Sequence, residues 1–293
     1  MKAKSTLLLV ALLLLSITSF SQELTDKWTQ LLTPDGRYFE KYIGIPHTSL
    51  TSLPGVEKGN GTDKGKPLGL NNDPLNVFTI EMVDGQPVLH VSGEIFGGFS
   101  TKKEFGNYHL RVEVKWGNKK YEPRLTAKRD NGILFHGKAP HGQFWNVWYR
   151  APEFQIEEGN MGDLYTLAGV GADVRSKLKD TTNIRLGYIY DPEAPLRPYA
   201  STGTPETHLS HKKGNYENPI GEWNIIDLFC YNDKATYAVN GSVVMTLENI
   251  RTVLPGVAPT PLTNGFIQFQ SEGAECYYRN IQITKIDKAP DLK

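Results

Sequence analysis

The chain has 293 residues, and Lys plus Arg equals Asp plus Glu at 32 each. That balance excludes a partner drawn in by bulk charge, so nucleic acid and anionic membranes are not expected and the partner is a neutral one. With only two cysteines, Cys230 and Cys276, it is no disulfide-stapled miniature fold. Each lies in a strand-like segment, where a bridge and two buried thiols fit equally well.

At the N-terminus Lys2 and Lys4 precede an unbroken apolar run from Leu7 to Leu15, followed by Ser19-Phe20-Ser21. This is the pattern of a secretory signal peptide over residues 1–21, cleaved before Gln22. The run is well short of the roughly 20 residues that span a bilayer, and no second such run follows, so no membrane span is expected in the mature chain. No cysteine marks a lipid anchor at the cleavage point. The expected address is therefore periplasmic or extracellular. Residues 22–293 are expected to form one domain, because all-β sandwiches of 200 to 250 residues commonly fold as single units.

Strand signals recur from Val77 to Ile286 with few amphipathic helical patterns, which predicts an all-β protein. Two short runs, Val77 to Met82 and Pro87 to Val91, flank Asp84-Gly85, a strand-turn-strand signal. Tyr108, Leu110, Val112, Val114 and Trp116 alternate with polar residues, as in a half-buried strand. Asn240-Gly241 joins Ala235 to Val239 with Ser242 to Leu247 and is the strongest hairpin signal. The last strand, with Ile281, Ile283 and Ile286 in the core, is expected to return beside the first. Two stretches, Pro46 to Pro74 and Asp191 to Gly221, read as long loops, which often shape binding sites.

Between Arg129 and Val170 the composition changes, with His136, His141, Trp145, Trp148, Tyr149, Arg150, Glu153, Gln155, Glu157, Glu158 and Asp163 close together. On a strand, Glu153, Gln155 and Glu157 point one way and Phe154 and Ile156 the other. If the apolar pair is in the core, the polar trio lines an open face. Aromatic rings offer flat surfaces for the C–H faces of a sugar, and carboxylates, amides and arginines bond its hydroxyls. Glu153 and Glu157 invite comparison with the strand of laminarinase-like retaining glycosidases. Four residues of regular strand span roughly 13 Å, however, whereas retaining chemistry wants carboxyl groups about 5 Å apart, so only a bulge would unite them. A second scheme has His136 and one or two carboxylates holding a divalent metal ion of the Zn, Mn or Mg type, with another carboxylate as base.

The segments Pro67-Leu68-Gly69-Leu70-Asn71, Gly93 to Gly98, Ala127 to Gly132 with His136, Glu153 to Gly159 with Met161-Gly162-Asp163, and Gly221 to Asn224 together resemble the 3-keto-disaccharide hydrolase family. The resemblance covers nearly the whole mature chain. It implies a concanavalin-like jelly-roll sandwich of two antiparallel sheets with a ligand-binding concave face. It also implies action on a glycoside or oligosaccharide oxidised to a ketone at C3, by elimination, by hydration of the resulting 2-hydroxy-glucal, or by both, which sum to hydrolysis. The expected catalytic residues are Glu153, Glu157 and His136. Gln155, Arg150, Trp148, Trp145 and Arg129 would position the sugar, and His136, Glu157 and Asp163 would hold a metal. A carbohydrate-binding jelly roll without catalysis is the alternative from another class.

Overall fold

The computed structural model describes residues 24–202 and 205–290. The predicted signal peptide therefore lies outside the described residues. Among them, no helix is long and apolar enough to cross a membrane.

Among the described residues, two antiparallel sheets stack face to face as an all-β jelly-roll sandwich, one of twelve strands and one of eight. The alternation read from Tyr108 to Trp116 is the inner face of strand Tyr108–Lys120, whose Leu110, Val112 and Val114 are buried. This strand lies between Asn224–Tyr231 and Ala274–Lys285 at the centre of the larger sheet. Both predicted tight turns form. Asn240 and Gly241 take φ of 49° and 81° between the paired Val239 and Ser242, and Asp84 and Gly85 take 51° and 79° between Val83 and Gln86. Positive φ at both central residues matches the turn to the right-handed twist of the strands. The last strand does return to the first, with Thr29 opposite Ile283. Cys230 and Cys276 are buried free thiols, so the bridge is not formed.

The smaller sheet carries the site. Its order runs Leu209–Ser210, Leu164–Thr166, Pro152–Glu157, Asp130–Gly137, Phe266–Ser271, Gly97–Thr101, Phe39–Ile43 and Gly69–Leu70. Ile133, Phe135, Phe154, Ile156, Ile267 and Phe269 point into the core between the sheets. Phe154 stacks on Tyr237 of the larger sheet at 4.4 Å, and Phe269 meets Tyr278 edge-on at 5.3 Å. Burying each such side chain stabilises the fold by about 1.5–3 kcal/mol, and that gain fixes which face the alternate residues must take. The alternates are polar, so the outer face of this sheet is rich in carboxylates and amides.

Candidate active site

Three neighbouring strands set the floor. Asp130, Gly132 and Leu134 stand directly opposite Glu157, Gln155 and Glu153, in unbroken register. On the other side, Gln268 and Gln270 lie opposite Ser100 and Gly98, and Glu272 follows the strand end. Gly132 is a gap in this floor that the carboxyl of Glu153 fills. A Cβ there would lie 2.0 Å from Glu153 Oε1 and 2.6 Å from Gln270 Oε1.

Arg124 enters from the loop before strand Asp130–Gly137. Its guanidinium pairs with Asp130 Oδ2, with Glu157 Oε1 at 3.5 Å and with Glu272 Oε1 at 3.4 Å. Burial alone would lower the Arg124 pKa, but Glu272, Asp130 and Glu157 together reverse the effect and keep it charged. One cation cannot neutralise four crowded carboxyls. Burial lifts Asp130 to about 7, with Arg124 pulling down and Glu157 pushing up. Burial, then the charge of Asp130, pushes Glu153 well above the carboxylate range despite Arg124, and Glu272 is raised for the same reasons. Glu157 is committed elsewhere, since its second oxygen accepts from the Asn160 amide. Of the residues that line the cavity, Asp130 Oδ1 and Arg124 Nε are buried without a protein partner. Buried polar groups are ordinarily satisfied, so these mark where a ligand's hydroxyls and carbonyl can bond.

Above the floor is a cavity of about 400 Å³ lined by Arg124, Asp130, Glu153, Gln155, Glu157 and Glu272 below. One wall is aromatic, from Phe144, Trp145 and Trp148, and the other is formed by Tyr165 to Ala168 with Ser201 and His208. Trp145 stacks on Phe144 at 5.0 Å and on Phe96 at 6.4 Å, and the 37% of its surface that stays exposed is the platform at the rim. The loop that carries it is pinned by His141, sandwiched between Tyr42 and Tyr149 and bonded through Nε2 to Glu40 at 3.1 Å.

The structure brings Glu153, Glu157, Gln155, Trp145 and Trp148 together as the sequence predicts, and separates the rest. Trp148 lines the wall but is 2% exposed and donates its indole N–H to the Gly97 carbonyl, so it supports the platform more than it offers one. His136 is corrected. Its φ of 47° and the register shift between Phe266 and Gln268 break the alternation, and a bulge of this kind re-aims the side chain. The ring is fully buried against Tyr108 and Phe135, with neither nitrogen at hydrogen-bonding geometry. Burial drives its pKa down to about 3 against a weak opposing pull from the Asn264 backbone. Asp163 turns to His211 Nδ1 and the Lys212 N–H, both at 2.8 Å. Arg129 bonds the Gly117 carbonyl and Glu158, and Arg150 bonds the Ala168 carbonyl, so neither lines the cavity. His136, Glu157 and Asp163 thus do not converge on a metal, and no group of three or more His, Cys, Asp or Glu among the described residues is arranged to hold one.

Sequence pattern assigns no role to Arg124, Glu272, Tyr165 or His208, and quotes Asp130 only within a motif. The alternation Gln268, Gln270, Glu272 was a usable signal, since it repeats the polar face of Glu153, Gln155 and Glu157. Arg124 lies in an irregular loop with no periodicity to betray it. Of the long loops, Asp191 to Gly221 brings Ser201 and His208 to the cavity, whereas Pro46 to Pro74 backs the aromatic loop, where Asp63 accepts from the Asn146 amide at 2.7 Å.

A family model described as the 3-keto-alpha-glucoside-1,2-lyase-like domain matches residues 48–284. The chain belongs to this family. The 3-keto-alpha-glucoside-1,2-lyase-like domain thus includes every residue of the cavity, and membership makes this a carbohydrate-active chain. No curated protein matches the sequence. A protein of Parabacteroides distasonis ATCC 8503, provisionally described as a glycosyl hydrolase, shares 15% identity at a TM-score of 0.48, over 89% of this chain and 95% of that one. A glycoside hydrolase family 16 endo-glucanase from Bacteroides ovatus shares 11% identity at a TM-score of 0.42, over 89% and 99%. The carbohydrate binding module CBM66 from Bacillus subtilis shares 5% at 0.38, over 71% and 92%. These are resemblances of architecture at low identity.

Proposed function

We propose that this chain is an exported enzyme that cleaves glycosides carrying a ketone at C3, by removing the C2 proton and expelling the C1 substituent, with hydration of the product completing net hydrolysis. The observation that carries the reading is the geometry of the floor, where Asp130, Glu153, Glu157 and Glu272 line one cavity with the guanidinium of Arg124, which pairs with three of them. The crowding and burial raise Asp130 to about 7 and push Glu153 further up. Groups with separated protonation states side by side are what acid and base catalysis at neutral pH requires. A C3 ketone acidifies the C2 proton, so one base of this strength suffices. Asp130 takes that proton in place of the Glu153 or Glu157 expected from sequence. Arg124 and the protonated Glu153 face the oxygen on which negative charge develops, in a site closed to water on its floor. Glu157 and Glu272 hold Arg124, Gln155 bonds a sugar hydroxyl, and Trp145 lies under the ring. No step needs a metal held by His136.

The regular register also speaks against a retaining pair made of Glu153 and Glu157, because no bulge lies between them and both oxygens of Glu157 are engaged. The test is release of aglycone from a 3-keto-glucoside and from its unoxidised parent, each with and without a chelator. Turnover of the keto form alone, unaffected by chelator, is expected. Equal cleavage of both compounds means an ordinary glycosidase, sugar binding without turnover means a binding module, and loss with chelator restores a metal to the mechanism.

A further inference from the structure

The proposed elimination leaves one requirement unmet by the floor, and the following inference rests on that reading. When the C1–O bond breaks, its electron pair goes to the aglycone oxygen, which needs a proton unless the aglycone is a stable anion. Asp130 is occupied with the C2 proton and Glu153 with the C3 oxygen. The aglycone must lie toward the rim, because Asp130, Glu153, Gln155 and Glu272 at the floor are buried, while Trp145 is exposed and Ala168, Ser201 and His208 are half-buried.

Across the strands, Glu153 stands opposite Tyr165, and Tyr165 opposite Leu209, the residue that follows His208. Glu153, Tyr165 and His208 therefore succeed one another outward from floor to rim. The His208 ring lies 5.9 Å from that of Tyr165, tilted by 35°, and its carbonyl accepts from the Thr166 hydroxyl at 3.4 Å. Among the described residues lining the cavity, His208 is the sole imidazole, and imidazole is the side chain that gains and loses a proton around neutrality.

We propose that His208 is a catalytic residue that protonates the departing aglycone oxygen. In the balanced step the Asp130 carboxylate takes the C2 proton, and the C–H electron pair becomes the C1–C2 double bond. The C1–O pair leaves on the aglycone oxygen, which takes its proton from the His208 imidazolium. The products are a 2-hydroxy-glucal with its C3 ketone and a neutral alcohol, and solvent then resets Asp130 and His208. No oxidant or reductant is consumed.

The experiment compares His208→Gln with wild type on two 3-keto-glucosides, one with a 4-nitrophenyl aglycone and one with a methyl aglycone. The nitrophenolate leaves without help, so its release should change by less than about threefold, whereas methanol release should fall by about 100-fold or more, the scale of one lost general acid. The intact nitrophenyl rate also shows that the variant folds. Equal losses on both compounds, or no loss on either, overturn the proposal. It is also overturned if Tyr165→Phe shows the aglycone-dependent loss and His208→Gln does not. Absence of wild-type turnover of either compound removes the elimination reading itself, and this inference with it.

Discussion

Replacing Asp130 with Asn tests the electrostatics of the floor by a route independent of catalysis. The substitution keeps the side-chain shape, and Arg124 retains Glu157 at 3.5 Å and Glu272 at 3.4 Å. In the unfolded chain Asp130 titrates near 3.8, and in the fold at about 7. The folded state thus holds a proton that the unfolded state has released, so wild-type stability falls as pH rises through this window and the loss is complete above about 7. At about 1.4 kcal/mol per unit, the span from pH 5 to 7 is worth about 3 kcal/mol. Asp130→Asn lacks this penalty. Urea unfolding of both proteins at pH 5 and pH 8 should show the variant gaining about 3 kcal/mol on wild type between the two. A difference that is the same at both pH values refutes the argument that Asp130 is charged only at a cost. In the same variant, kcat/KM for a 3-keto-glucoside should fall by about 10²–10⁴ for loss of a general base.

On the 4-nitrophenyl 3-keto-glucoside, which needs no acid, wild-type kcat/KM should rise with pH through about 7 as Asp130 ionises, and a profile flat from pH 5 to 8 would remove it as the base. Gly132→Ala places a methyl 2.0 Å from Glu153 Oε1, so crystallography should find that carboxyl displaced, with activity lost and stability reduced by about 1–3 kcal/mol. Arg124→Met removes the partner of Asp130, Glu157 and Glu272 and should cost about 3–5 kcal/mol at pH 7.5 but much less at pH 4.5, measured by urea unfolding. Trp145→Ala should raise KM by about tenfold and, because the rest of the indole packs on Phe144 and Phe96, lower the unfolding free energy by about 1–3 kcal/mol, read from steady-state kinetics and urea unfolding.

The all-β sandwich was legible because period-2 alternation and Asn-Gly or Asp-Gly turns are local signals, and both predicted hairpins form where those dipeptides stand. The polar face of Glu153, Gln155 and Glu157 was legible for the same reason, once Phe154 and Ile156 were placed in the core. His136 was misread because a single positive φ reverses the direction of a side chain, and nothing in Phe135-His136-Gly137 announces it. Arg129 and Arg150 lie in the right stretch of sequence, but their guanidiniums are spent on backbone carbonyls. Arg124 and His208 reach the cavity from segments without periodicity, and only the fold brings them near strands distant in sequence. Glu272 is a different case, since its alternation with Gln268 and Gln270 was visible, but its strand could be placed beside Asp130 only through tertiary pairing.

Loss of the C2 hydrogen is the central claim, and it can be read directly by running the reaction on a 3-keto-glucoside in deuterium oxide, with an enzyme-free control for spontaneous exchange. Proton magnetic resonance of the sugar product should show the original C2 hydrogen gone, either because the product is the glucal or because hydration has put deuterium there. Full retention of the C2 proton in a cleaved product would mean direct displacement at C1 and would contradict the account.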